Sequence, residues 1–364
     1  MKKTIKVLVL FAMLSGLPLV GVFLAGKPVA SFLEFPPRTR HVVHEPFSWP
    51  VFLGLALLVS AVIAPFAARR PPRATIWPEA GFECDRRPFP WWGWAGVAVT
   101  VVSWVVAWNR FSWVGWFQTH TFTPLWLGYI LTVNGLVLRR TGKSPLTHRT
   151  AAYLSLFPLS AGFWWFFEFL NRFVQNWHYS GEPLDPWSYF WYATLPFSTV
   201  LPSVLATREW LRSVPAFDEK FRSFMPVRVS RPGTLAVCVL VTAGIGLSFI
   251  GVRPNVLFSL LWVSPLLIIV SIMTLFNEPH VFSSAARGDW RGIVTAAMAA
   301  LICGFFWEMW NFYSHAKWIY SIPYAHRFLL FEMPIMGYAG YLPFGLECVA
   351  VAELFLGRKT VEIL

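Results

Sequence analysis

The sequence predicts an all-α polytopic membrane protein: about ten transmembrane helices, two N-terminal helices followed by two parallel four-helix repeats. Three observations predict it. The chain is 56% hydrophobic and only 13% charged, where soluble domains carry about 25% charged residues. Apolar runs recur at a length that crosses a bilayer, about 20 residues each. Lys and Arg fall on alternating sides of those runs in a strongly biased way.

Taken in order, the candidate spans lie near 5–25, 48–68, 91–109, 122–139, 151–173, 187–207, 233–252, 256–276, 292–313 and 328–354. The first follows a charged start, MKKTIK. Its apolar run exceeds the about 7–15 residues of a signal-peptide core and has a poor cleavage site after it, so it reads as an uncleaved span. With the N-terminus inside, 22 of the 30 Lys and Arg fall in cytoplasmic segments and 8 outside. The bias predicts both termini cytoplasmic, in a bacterial inner (cytoplasmic) membrane. Arg69, Arg70, Arg73, Arg86 and Arg87 serve that topology first; contact with lipid headgroups is their second reading. The net charge of +12 is thereby explained without a nucleic-acid partner. The bilayer is the expected environment, and oligomeric state is left open.

Two stretches can be superposed. GFWWFFEFLNRFVQNWHY ends in the same order of residues as GFFWEMWNFYSHAKWIY. Glu168 and Asn171 match Glu308 and Asn311. Trp177 and Tyr179 match Trp318 and Tyr320 with one residue inserted. Upstream, Thr123-Pro124-Leu125 matches Ser264-Pro265-Leu266; downstream, Pro196 and Pro202 are answered by Pro334 and Pro343. The chain therefore divides into residues 1–89 (two helices, an outer His/Glu loop and a basic loop), 90–212 (repeat one) and 231–357 (repeat two). Four helices per copy give both copies one orientation, about an axis along the membrane normal.

The matched segments carry the candidate chemistry. If each helix continues, Glu168, Asn171, Gln175 and His178 share an arc of about 80°, as do Glu308, Asn311, His315 and Trp318. A carboxylate in the membrane costs a few kcal/mol unless paired, protonated or wet. Each stripe is expected to face the other, or a shared cavity, near the outer leaflet. Two readings stand: interhelical hydrogen bonding, or a functional site. In the latter Glu308 is the acid or base, Glu168 its partner, Asn311 and Asn171 orient substrate, and His315 relays protons. Trp177, His178, Tyr179, Trp318, Tyr320, Glu332 and Glu347 would line the substrate. The last span, FEMPIMGYAGYLPFGLE, is rich in Pro and Gly and is expected to be kinked or broken. Glu182 and Asp185 read as turn residues.

Six of the eight His fall outside: His41, His44, His120, His178, His315 and His326. With Glu34 and Glu45, the loop histidines His41 and His44 offer a divalent-metal site completed by His178 and His315, or simply solvated side chains. The four Cys (Cys84, Cys238, Cys303, Cys348) show no CxxC and no disulfide pattern. No phosphate-binding loop, dinucleotide-binding glycine pattern, GxSxG or HExxH occurs. Three functions fit: an enzyme acting by acid–base chemistry on a lipid-like or isoprenoid substrate, a proton-coupled transporter or lipid flippase, or a non-catalytic subunit of a membrane complex.

Overall fold

A computed structural model describes residues 2–69, 87–181 and 184–362. Arg70, Arg73, Cys84, Arg86 and Glu182 lie outside the described residues. The structure is mostly helical (71%), with no barrel among the described residues. The principal helices are α1 (Lys2–Leu24), α2 (Trp49–Ala68), α3 (Trp91–Trp108), α4 (Phe122–Thr141), α5 (Leu156–Val174), α6 (Pro186–Phe197), α7 (Val200–Arg212), α8 (Pro232–Phe249), α9 (Leu260–Leu275), α10 (Arg291–Phe312) and α11 (Tyr341–Leu356). Two short strands, β1 (Trp177–Ser180) and β2 (Lys317–Tyr320), pair antiparallel.

Among the described residues, six helical stretches are long and apolar enough to cross a membrane: α1, α2, α3, α8, α10, and α11 with the turn before it. A short helix at Ser112–Gln118 and α4 form a seventh if their 74° bend counts as one broken span. This suits a multi-pass membrane protein. Two of the candidate windows depart from a single unbroken α-helix for local reasons. The window 187–207 is two helices, α6 and α7, separated at Ser198–Thr199 between Pro196 and Pro202. Neither proline nitrogen can donate a backbone hydrogen bond. Ser160 on α5 closes the gap: its hydroxyl donates to the Phe197 carbonyl at 2.6 Å and accepts from the Leu201 amide at 3.0 Å. The window 328–354 begins with a tight strand turn, Leu329–Leu330 against Met333–Pro334, and a 3-10 turn, Ile335–Gly340. Its helix starts only at Tyr341.

Packing is built from hairpins. α3 lies along α4, α8 along α9, and α10 along α11. α7 joins the halves by packing on α10, α4 and α5. Where α10 meets α11, a Cβ at Gly345 would stand 2.1 Å from the Ala296 carbonyl oxygen. Only a glycine lets these backbones approach so closely, the usual basis of tight membrane-helix contacts. α2 buries none of its residues. Rings at its two ends hold it: Phe52 on Phe328, and Phe66 on Trp290 and Phe224. Its apolar sides suit lipid contact, as do the exposed Val and Leu of α1, α3 and α8.

Candidate functional site

Glu168 and Glu308 are both fully buried, at 0% exposure, in the last turns of α5 and α10. Their helices end immediately afterwards. α5 stops when Gln175 takes a left-handed conformation, φ +54°, and α10 stops at Phe312. Each chain then turns back and forms one strand of the β1–β2 ladder. Asn171 and Asn311 make both turns possible. Each donates its side-chain amide at 2.8 Å to the carbonyl of the strand's tryptophan, Trp177 or Trp318. Each also accepts a backbone N–H, from Asn176 at 2.7 Å or from Trp318 at 2.9 Å. These bonds satisfy backbone groups, buried beside Asn171 and half-buried beside Asn311, that would otherwise lack a protein partner.

The helical stripe is therefore corrected. Past Asn171 and Asn311 the side-chain period is that of a strand, two residues, not that of a helix. Trp177 and Tyr179 share one face of β1 and both reach Glu168; His178 points the other way. The Trp177 indole donates to Glu168 Oε1 at 3.1 Å and the Tyr179 hydroxyl at 2.6 Å. A third donor is Trp164, one helical turn before Glu168, at 3.0 Å. In the other half, Tyr320 and Tyr341 donate to Glu308 Oε1 at 2.8 and 2.6 Å, and Trp318 donates to the Tyr320 hydroxyl at 3.0 Å. In both carboxyls one oxygen is thus clamped by aromatic donors. The other, Oε2, is buried with no hydrogen-bond partner.

The ladder pairs Trp177 with Tyr320 and Tyr179 with Trp318. Exchanging matched residues of the two halves reproduces the same pairs, so the ladder sits across a local twofold relation. The halves differ at one point. Gly304 occupies the position on α10 that Trp164 occupies on α5. A Cβ there would lie 2.4 Å from the ring of Tyr341; the ring fills the space and its hydroxyl replaces the Trp164 indole as a donor. Rings pack the region between the carboxyls: Trp164 on Trp307 (6.4 Å between ring centroids), Trp307 on Tyr341 (5.9 Å) and Trp164 on Phe344 (5.8 Å).

Several expected members stand elsewhere. Gln175 turns its side chain to the Arg172 carbonyl and accepts from the Arg40 amide. His315 is exposed beyond the end of α10. His178 stacks edge-on with His41 at 5.1 Å; burial and the neighbouring His41 push its pKa down. Glu332 is paired with Lys317. Glu347 is fully buried on α11, and neither of its oxygens has a partner. Asp185 caps α6, accepting from the Trp187 and Ser188 amides.

The metal reading does not fit. Among the described residues no three His, Cys, Asp or Glu groups come together as a metal site. Both ring nitrogens of His44 are engaged, Nδ1 with Asn255 at 2.9 Å and Nε2 with the Gln175 carbonyl at 3.1 Å. Glu45 is exposed. The cysteines Cys238, Cys303 and Cys348 are free thiols.

Trp164 and Tyr341 were missed by sequence reasoning. Trp164 carried a signal, since it precedes Glu168 by four residues and so lies over it on the helix. Tyr341 is 33 residues from Glu308 and carried none. Comparison with known proteins finds no match: no family model fits the chain, and no curated protein or solved structure is significantly similar to it.

Proposed function

We propose that this protein is a membrane-embedded enzyme that uses Glu308, with Glu168 as its partner, for acid–base chemistry on a lipid-like substrate. One observation carries the reading: two matched buried carboxyls, each with one oxygen fixed by aromatic donors and the other unpartnered. Fixed donors orient a carboxyl. An unpartnered oxygen is where a proton is held and passed, and a group left unsatisfied in a native fold calls for a functional account. Surrounding Trp and Phe rings suit an apolar chain and any positive charge that develops on it. Asn171 and Asn311 hold the strands that supply the donors, and so are positioning residues.

The reading includes ten crossings, two parallel repeats and both termini in the cytoplasm. It is supported by a helix in each of the ten windows, by the bias in Lys and Arg, and by the exchangeable pairs of the β1–β2 ladder. The carboxyls then lie toward the outer leaflet of a bacterial cytoplasmic membrane.

Whole-cell lipid mass spectrometry on wild type, deletion and Glu308→Gln strains at matched protein level tests it. The expected result is one lipid species changed alike in deletion and Glu308→Gln. A Glu308→Gln profile equal to wild type, beside an altered deletion, would rule the chemistry out. A second reading, a proton-coupled transporter or flippase, is favoured by the 74° bend between Ser112–Gln118 and α4, because broken helices line transport sites. Accumulation of a labelled solute in proteoliposomes that ignores a pH gradient would remove the proton-coupled version of it.

A further inference from the structure

Along α8 runs an open groove of about 420 Å³, lined by Thr242, Ile245, Gly246, Phe249, Arg253 and Leu257. Small-molecule sites span roughly 300–1,000 Å³. The first four residues recur at helical spacing on one side of α8. Arg253 and Leu257 come from the turn after it and the short helix Pro254–Leu257. Gly246 forms the floor. It carries no side chain, and Leu260 of α9 packs so close that an added Cβ would stand 2.6 Å from its Cδ1. Ile245 and Phe249 are exposed beside it.

The groove is apolar along its length and charged at one end. Thr242 is the one uncharged polar side chain in its lining, and it is satisfied within its own helix. Its hydroxyl donates to the Cys238 and Val239 carbonyls at 2.9 and 3.1 Å. A polar ligand would be desolvated there without a side-chain partner, whereas an alkyl chain needs none. α8 is long and apolar enough to cross a membrane. The medium beside such a helix is hydrocarbon, and its end meets the lipid headgroups.

Arg253 stands at that end, on the side of the bundle that carries the β1–β2 ladder. Two residues further on, Asn255 bonds His44, whose other ring nitrogen reaches the Gln175 carbonyl. The Arg253 side chain is exposed, and among the described residues no Asp or Glu pairs with it. A second cation shares the turn: Lys27 donates to the Gly251 carbonyl at 2.6 Å and has no carboxylate partner either. Two like charges at one turn repel each other, and an anion between them relieves it.

We propose that this groove binds one anionic phospholipid, its phosphate on Arg253 and an acyl chain laid from Phe249 to Thr242. The guanidinium fork matches a phosphate, and Lys27 adds positive charge beside it. Phe249 and Thr242 are about 10 Å apart along the helix axis. A zwitterionic headgroup would bring an ammonium that no carboxylate at this turn accepts, so the anionic lipid is preferred. The lipid is held, not transformed, and the groove is separate from Glu168 and Glu308.

Native mass spectrometry of the full chain in detergent tests it. Delipidated protein is titrated with phosphatidylglycerol, with phosphatidylcholine and with inorganic phosphate. The expected result is one tight phosphatidylglycerol adduct, weaker phosphatidylcholine binding and no competition from inorganic phosphate. Arg253→Gln should weaken the phosphatidylglycerol adduct about fivefold, the worth of one basic residue at a lipid headgroup, and erase the preference between the two lipids. Thr242→Trp fills the far end of the groove and should remove the tight adduct. Val241→Trp is the control, because Val241 is exposed on α8 outside the groove lining. Phosphatidylglycerol binding unchanged by both Arg253→Gln and Thr242→Trp overturns the proposal. Binding lost in Arg253→Gln but kept in Thr242→Trp, with inorganic phosphate competing, overturns the acyl-chain part and leaves a phosphate site. A lipid-free dimer split by Thr242→Trp overturns it too, making the groove a contact between two copies. Arg253 is exposed, so its variant carries the test even if Thr242→Trp fails to accumulate.

Discussion

Gly304→Ala is expected to destabilise the protein, although alanine is the better helix former. The reason is geometric. The new Cβ would stand 2.4 Å from two carbons of the Tyr341 ring, where an ordinary contact is about 3.5 Å or more. The ring must retreat by about 1 Å. Its hydroxyl now donates to Glu308 at 2.6 Å, so such a shift lengthens the bond to about 3.6 Å, beyond hydrogen-bond range. Overpacking costs about 1–3 kcal/mol, and a buried carboxyl that loses a donor costs about 1–3 kcal/mol more. The helix-propensity gain of about 1 kcal/mol opposes this. The net expectation is a loss of about 1–5 kcal/mol, read by denaturant unfolding in detergent micelles. Gly162→Ala on α5 is the control, because nothing lies within 4 Å of its added Cβ. A double-mutant cycle with Tyr341→Ala should remove most of the Gly304→Ala cost. A Gly304→Ala protein as stable as Gly162→Ala would refute the placement of the Tyr341 ring.

Asn171→Ala should lose about 1–3 kcal/mol, since it strands a buried carbonyl and a buried amide, and Asn311→Ala should lose less, since the Trp318 groups it strands are half-buried; unfolding midpoints in the same detergent check both. Arg291 holds the Asp289 carboxyl below its usual value, through bonds of 2.9 and 2.8 Å just before α10 begins. A carboxyl lowered in the folded state stabilises above its unfolded pKa, and that contribution fades as pH falls through the folded value. Stability should therefore drop on acidification below the ordinary Asp range, and Asp289→Asn should flatten that limb in a pH series of unfolding midpoints. His44→Phe should loosen the loop between α1 and α2, because both ring nitrogens tie it down; faster proteolysis between residues 36 and 48 is the readout.

The helical character and most helix positions were legible in the sequence because apolar run length maps directly onto membrane thickness. Glu168, Asn171, Glu308 and Asn311 stood out in the sequence as polar residues in apolar runs, and all four are buried. What misled was the assumption that each helix continues past its Asn. Asn171 and Asn311 look like further members of a helical stripe, yet their amides bond to strand carbonyls and help end the helix. Once β1 begins, His178 and Trp177 exchange roles. The Tyr341 contribution was illegible because it depends on space left by a glycine on another helix. The loop histidines suggested a metal by spacing alone, and His44 is instead spent on Asn255 and a backbone carbonyl.

The central claim is that Glu168 and Glu308 act together. The most direct test is the lipid profile of cells carrying Glu168→Gln, Glu308→Gln or both, at equal protein level. Glutamine keeps an oxygen to accept from the tyrosine and tryptophan donors but cannot carry the proton. The account predicts that both single variants and the double variant show the same lipid change as the deletion. Single variants with wild-type profiles, or one glutamate dispensable while the other is essential, would contradict it.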